Sequence, residues 1–181
     1  MSEELIVRYC SPTLAGIKTG SLFSAAFASR KEQVETLRGW NALLRQKGLR
    51  VIPFSGKNGR TAVYVYRVSR LNADLKNAEI RRILSCRGYD CDRPERCIAR
   101  LARRLKNGAE FPHEIGLFLG YPPEDVSGFI NNGKCKLSGV WKVYGDKRRA
   151  EKLFAQYKKC ARIYSRLFHN GKSMERLTVA G

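Results

Sequence analysis

Histidine is almost absent from this 181-residue chain; His113 and His169 are the only two. A multi-histidine metal centre within one chain is therefore excluded. No HExxH occurs, because Leu117 stands where a second histidine would have to follow His113-Glu114. Neither a GxxxxGK[ST] phosphate loop nor a GxGxxG dinucleotide turn is present. No apolar run approaches the roughly 20 residues that span a bilayer. The start, Met1-Ser-Glu-Glu4, is acidic, and no signal-peptide apolar region follows it. A cytoplasmic protein is expected. Its six cysteines (Cys10, Cys86, Cys91, Cys97, Cys135, Cys160) are then expected as reduced thiols. The spacing Cys86-x4-Cys91-x5-Cys97 lacks the CxxC pairs of common zinc and iron–sulfur sites. No metal and no cofactor is assigned.

What is abundant is positive charge. Thirty-five Lys and Arg stand against sixteen Asp and Glu, for a formal +19. Such a field draws acidic partners, either nucleic acid or an acidic protein. Arg96, Arg100, Arg103 and Arg104 recur at helical spacing. Lys152, Lys159 and Arg166 lie seven apart, with Tyr157 and Tyr164 close by. Such rows can track a phosphate backbone, with aromatics available for stacking. The tyrosines fit an apolar core line equally well. No helix-turn-helix, RRM, KH or zinc-finger motif is found, so nucleic-acid binding would be unspecific.

One stretch departs from this basic background. Between Asn107 and Gly133 there is no Lys or Arg, and four acids occur: Glu110, Glu114, Glu124 and Asp125. Pro112 suits a first helical turn there, and Glu114 would complement the helix N-terminus. Gly120-Tyr-Pro-Pro123 then stops one helix and starts another, which ends at Asn131-Asn-Gly133. This block reads as ordinary core with two well-formed turns, or as a docking edge or pocket wall.

Elsewhere the pattern predicts a β-prone run at Leu5–Tyr9 and a helical or irregular apolar stretch at Ser21–Phe27. A helix is predicted over Arg30–Lys47, its face carrying Val34, Leu37, Trp40, Asn41 and Leu44 and its end set by Gly48. Strands are predicted at Leu49–Ser55 and Thr61–Val68, joined through a turn at Gly56-Lys-Asn-Gly59. One or two short helices are predicted over Asn72–Ser85, and a helix from Pro94 to about Leu105. Val140–Tyr144 alternates as a strand, and Lys147–His169 is a long helix capped by Gly145-Asp146. The expected fold is α+β, a small, mainly antiparallel sheet packed against several helices, with a helical C-terminal half. Residues 1–170 are expected as a single domain and 171–181 as a flexible basic tail.

Two residues are candidates for chemistry. Cys10, at the end of the expected strand in Cys10-Ser-Pro-Thr13, would be a reactive thiol if helix and charge lowered its pKa, and Lys18 could supply that charge. The thiol-phosphatase pattern fails, because Gly16 stands where arginine is required. His113 is a candidate ligand-binding or axial haem residue, or simply a hydrogen-bonded histidine.

Four separated motifs carry a resemblance. They are Cys10-Ser-Pro-Thr-Leu-Ala-Gly-Ile-Lys18 with Ser21-Leu-Phe23, then Val63-Tyr-Val-Tyr66, then Phe111–Ile130, then Gly139-Val-Trp-Lys-Val-Tyr144. Together they resemble the bacterial domain of unknown function 3793 family, found chiefly in anaerobic Firmicutes. The likeness covers about residues 4–168. Its motif positions here are Cys10, Pro12, Thr13, Gly16, Lys18, His113, Glu114, Gly116, Gly120, Tyr121, Pro122, Asp125, Trp141 and Tyr144. The resemblance carries no established activity, only an association with flavodoxin and iron-uptake genes. It implies a redox- or iron-linked accessory protein that docks an acidic, flavodoxin-like partner through the basic surface. A nucleic-acid-binding protein and a thiol-dependent enzyme using Cys10 are the alternatives.

Overall fold

The computed structural model describes residues 3–54, 59–107 and 110–181. The turn expected at Gly56-Lys-Asn-Gly59 therefore lies, Gly59 apart, outside the described residues. The chain forms two compact units. One comprises Met1–Arg70 with Tyr157–Gly181, the other Leu71–Gln156.

The first unit opens with α1 (Glu4–Leu14), not with the expected strand. Val and Ile favour strands locally, but Ile6, Cys10 and Leu14 recur every four residues and are fully buried. That helical face outweighs β propensity. Pro12 sits in the last turn, and its carbonyl accepts from both Ile17 N and Lys18 N, folding the loop that follows. The expected helical or irregular stretch is instead β1 (Gly20–Ala26), with Ser21, Phe23 and Ala25 inward and Ser24 and Ala26 outward. Small residues at those positions had hidden the alternation.

Helix α2 (Arg30–Arg45) follows, and the Ser29 hydroxyl accepts from Glu32 N at its start. β2 (Leu49–Phe54) and β3 (Arg60–Arg67) complete an antiparallel sheet of order β1-β3-β2. Phe23 pairs with Val63, and Val51 with Val65, so odd-numbered positions share one face. That face shares one core with Ile6, Cys10 and Leu14 of α1 and Leu37, Trp40 and Leu44 of α2. Each fully buried leucine there contributes about 1.5–3 kcal/mol. The outer edge of β2 is closed locally, because the Asn41 amide both donates to Val51 O and accepts from Val51 N. A strand edge so occupied is a poor template for another chain.

The second unit starts within α3 (Val68–Asp74) and continues through α4 (Ala78–Ser85) and α5 (Pro94–Asn107). Two short helices follow, α6 (Ile115–Phe118) and α7 (Pro123–Ile130). Both end in the same device. Gly120 (φ 77°) and Asn132 (φ 52°) adopt the left-handed conformation. The next N–H then reaches back five residues, Tyr121 to Gly116 O and Gly133 to Gly128 O. The strand expected at 140–144 is reduced to a minimal hairpin of β4 (Leu137–Ser138) and β5 (Lys142–Val143).

Helix α8 (Lys147–His169) supplies residues up to 156 to this unit and from 157 onward to the first. The Asp146 carboxylate accepts from Arg149 N at its start.

The tail expected to be loose is packed. α9 (Met174–Leu177) places Met174 and Leu177 in the first unit's core. The Met174 N–H donates to Glu3 and the Val179 N–H to Leu14 O. Two apolar side chains and these bonds outweigh the polar composition that suggested disorder.

Candidate functional site

The basic-free block builds a pocket in the second unit, partly as core and partly as a mouth. Leu117, Phe118 and Val126 are buried, and they fix α6 and α7. Gly116 on α6 lies against Tyr121 and Val126, so any side chain there would collide with both. The opposite wall is the hairpin residues Val140, Trp141 and Lys142. A cavity of about 200 Å³ lies between them, with Ile115, Val126 and Phe129 inside and Phe111, His113 and Val140 at the opening. Phe111 is 55 % and Val140 48 % exposed.

Asp125 holds the two walls together. Its carboxylate is buried and accepts three hydrogen bonds of 2.7 Å, from Trp141 Nε1, Tyr144 N and Gly145 N. Trp141 then stacks on Tyr121 at 4.7 Å and meets Phe154 edge-on at 4.5 Å. Gly128 allows the Tyr144 ring to lie directly against α7.

His113 and Glu114, adjacent in sequence, part company. The His113 ring meets Phe129 edge-on at 4.7 Å at the mouth. Glu114 stands at the N-cap of α6, at the helix N-terminus where the sequence put it, but its side chain turns inward and makes no capping hydrogen bond. It accepts from the Tyr89 hydroxyl at 2.8 Å and pairs with Arg104 at 2.7 Å and Arg87 at 3.9 Å. The Arg104 N–H does not point along its contact, which is an ion pair rather than a directed hydrogen bond. Burial, then the Glu114 bond, pushes the Tyr89 phenol well above its usual range. Glu114 is thus a structural anchor. An axial haem role for His113 does not fit, because the cavity is below the roughly 300–1,000 Å³ of cofactor-sized sites.

The other motif residues form a separate buried polar cluster in the first unit. Cys10 is mid-helix and fully buried, not at a strand end. Burial pushes its thiol up to about 12, against pulls from Lys18 and a Ser21 hydrogen bond. That is the reverse of an activated thiolate. Thr13 and Ser21 share a hydrogen bond of 2.9 Å. Arg67, overlooked in the sequence as one cation in an apolar strand, donates to Thr13 O and Leu14 O at 2.7 and 2.6 Å, and to Val179 O at 2.7 Å. α1 has no basic residue in its last turn, and Arg67 supplies that charge. Gly16 (φ 76°) lets the loop curl over the guanidinium.

Lys18 is buried too, and burial lowers its pKa to about 8, with Cys10 opposing. The folded state therefore binds this proton more weakly than the unfolded chain, whose lysine titrates at 10.5. Its penalty is complete below pH 8 and fades as pH rises to about 10.5. A Lys18→Met variant escapes that penalty. Its stability relative to wild type is expected to fall by about 1 kcal/mol from pH 8 to 9, measured by urea melts at each pH. A constant difference would refute the assignment.

The two basic rows fare differently. Arg100 donates to Arg87 O and lies over Tyr89 at 5.6 Å, and Arg104 is held by Glu114. Both are half-buried and structural. Arg96 pairs with Asp90 at 3.3 Å, and Arg103 is exposed. On α8, Lys152, Lys159 and Arg166 are exposed, whereas Tyr157 is buried and Tyr164 packs on the core. The tyrosines are therefore no stacking platform.

No curated protein and no solved structure matches this chain. A family model described as "Protein of unknown function (DUF3793)" matches residues 6–178. That match takes in both the polar cluster and the pocket, and the chain belongs to this family.

Proposed function

We propose a cytoplasmic binding or accessory protein whose pocket at residues 111–142 takes one ring-sized apolar group. One observation carries this reading. Exposed Phe111 and Val140 meet at a single mouth, backed by Gly116, Tyr121, Asp125 and Trp141 of the family motifs. Scattered surface hydrophobes need no explanation, but apolar groups converging on a concave site do. The volume matches one ring, since a cavity of about 150 Å³ accepts benzene. The six free thiols fit a reducing compartment.

Toluene titration followed by NMR tests it. The Trp141 indole N–H, at the pocket wall, is expected to shift saturably while that of Trp40 stays fixed. If neither indole responds, or both drift together, the pocket reading falls.

A second reading concerns the cationic surface. The first unit carries 18 Lys and Arg against 5 Asp and Glu. Lys158, Lys159, Arg162 and Arg166 are exposed together on its part of α8. With the tyrosines withdrawn into the core, this face suits an acidic protein of flavodoxin-like charge better than single-stranded nucleic acid. Changing all four to glutamine is expected to weaken capture of an acidic flavodoxin at low salt by about tenfold or more. Tighter, salt-dependent binding of RNA than of flavodoxin would reverse the choice.

A further inference from the structure

The geometry points to a small organic anion as the ligand of this pocket: one aromatic ring enclosed by the apolar walls, its carboxylate at the mouth beside Lys142 and His113. This rests on the pocket reading above and adds the charge of the ligand. Three observations decide the sign.

First, the interior offers no free polar group to orient a ligand. Asp125 is the only carboxylate in the lining, and three short hydrogen bonds already engage both of its oxygens. An amine entering the pocket would gain little from it. Second, aromatic walls can hold cations, but here the place is taken. The Lys142 ammonium lies 5.4 Å from the centre of the Phe129 ring. A second cation would meet like charge at the mouth. Third, among the described residues no carboxylate pairs with Lys142, whose side chain is exposed at the opening. An incoming carboxylate would be its first anionic partner. His113 stands on the same rim, its ring 6.0 Å from Phe111, and offers a ring N–H to the same oxygen atoms.

The size of the site sets the size of the ligand. About 200 Å³ admits one ring with a short arm. Free aryl carboxylates have this chemistry, and so does a phenylalanine flanked by glutamates in an acidic protein segment. The test must separate these sources.

Phenylacetate, phenylacetamide and phenethylammonium, which share a ring and differ in charge, are titrated into the full-length protein and followed at the Trp141 indole N–H. Phenylacetate is expected to bind with a dissociation constant on the order of 1 mM. The amide should bind about two- to fivefold more weakly, as befits one exposed charge pair, and the ammonium more weakly still. Lys142→Gln should remove the preference of carboxylate over amide, and a preference that survives the change would overturn the inference. Equal affinities for the three probes would overturn the inference and leave the pocket reading standing. If toluene also fails to bind, both fall. A Glu-Phe-Glu peptide that binds more tightly than phenylacetate, and loses that advantage in Lys142→Gln, keeps the inference and identifies a protein segment as the ligand's source.

Discussion

Replacing Arg67 with methionine is expected to destabilise the fold by about 4 kcal/mol. The guanidinium is 2 % exposed and serves three backbone carbonyls, those of Thr13, Leu14 and Val179. Methionine fills similar space but donates nothing. Thr13 O and Leu14 O would keep only their backbone donors, Gly16 N and Val179 N, and each of the three carbonyls would lose a charged donor worth about 1.5–3 kcal/mol, offset in part by lost desolvation of the charge. Lysine has the charge but not the fork, so Arg67→Lys should recover less than half of the loss. Urea midpoints of the three proteins give the comparison. A loss below about 1 kcal/mol for methionine would mean that water replaces the guanidinium.

Asp125→Ala is expected to cost about 3 kcal/mol and to abolish the pocket. Three donors lose one acceptor, namely the Trp141 indole and the Tyr144 and Gly145 amides. The two amides are half-buried, so water can serve them in part. The indole is held in an aromatic stack and cannot move to find another partner. Asp125→Asn separates charge from geometry. Its oxygen can still accept the two amides, but its NH₂ would face the indole N–H, donor against donor. It should lie between wild type and alanine in stability, with Trp141 fluorescence shifted. If Asp125→Asn matched wild type in both, the carboxylate would not be what seats Trp141.

Much of the second unit is legible from local pattern. Gly120-Tyr-Pro-Pro123 carries its own stop and start, and both short helices fall where that punctuation sets them. What was not legible depends on residues distant in sequence. Asp125 reads as a helix N-terminal acid, yet its partners lie 16–20 residues away. Glu114 reads the same way, until Tyr89 and Arg104 claim it. The row on α5 looked like a uniform cationic face, but Arg100 is half-buried against Arg87 and Tyr89, and Arg104 against Glu114. In the first unit the errors came from propensity. Leu5-Ile-Val is strand-like in composition and helical in spacing, and spacing prevailed in α1. Ser24, Ala25 and Ala26 have too little contrast to reveal the period of β1.

The first unit is discontinuous in sequence, and this orders its assembly on the ribosome. Its core includes Met174 and Leu177, and its Arg67 socket is closed by Val179. Residues 71–156 are synthesised whole before Met174, Leu177 and Val179 exist. Chains grow at about 5–20 residues per second, so the N-terminal sheet waits several seconds for the segment that seals it. During that wait α1 and the inner face of the sheet lack α9. Residues 174–179 thus close a core whose sheet and first two helices are made long before them.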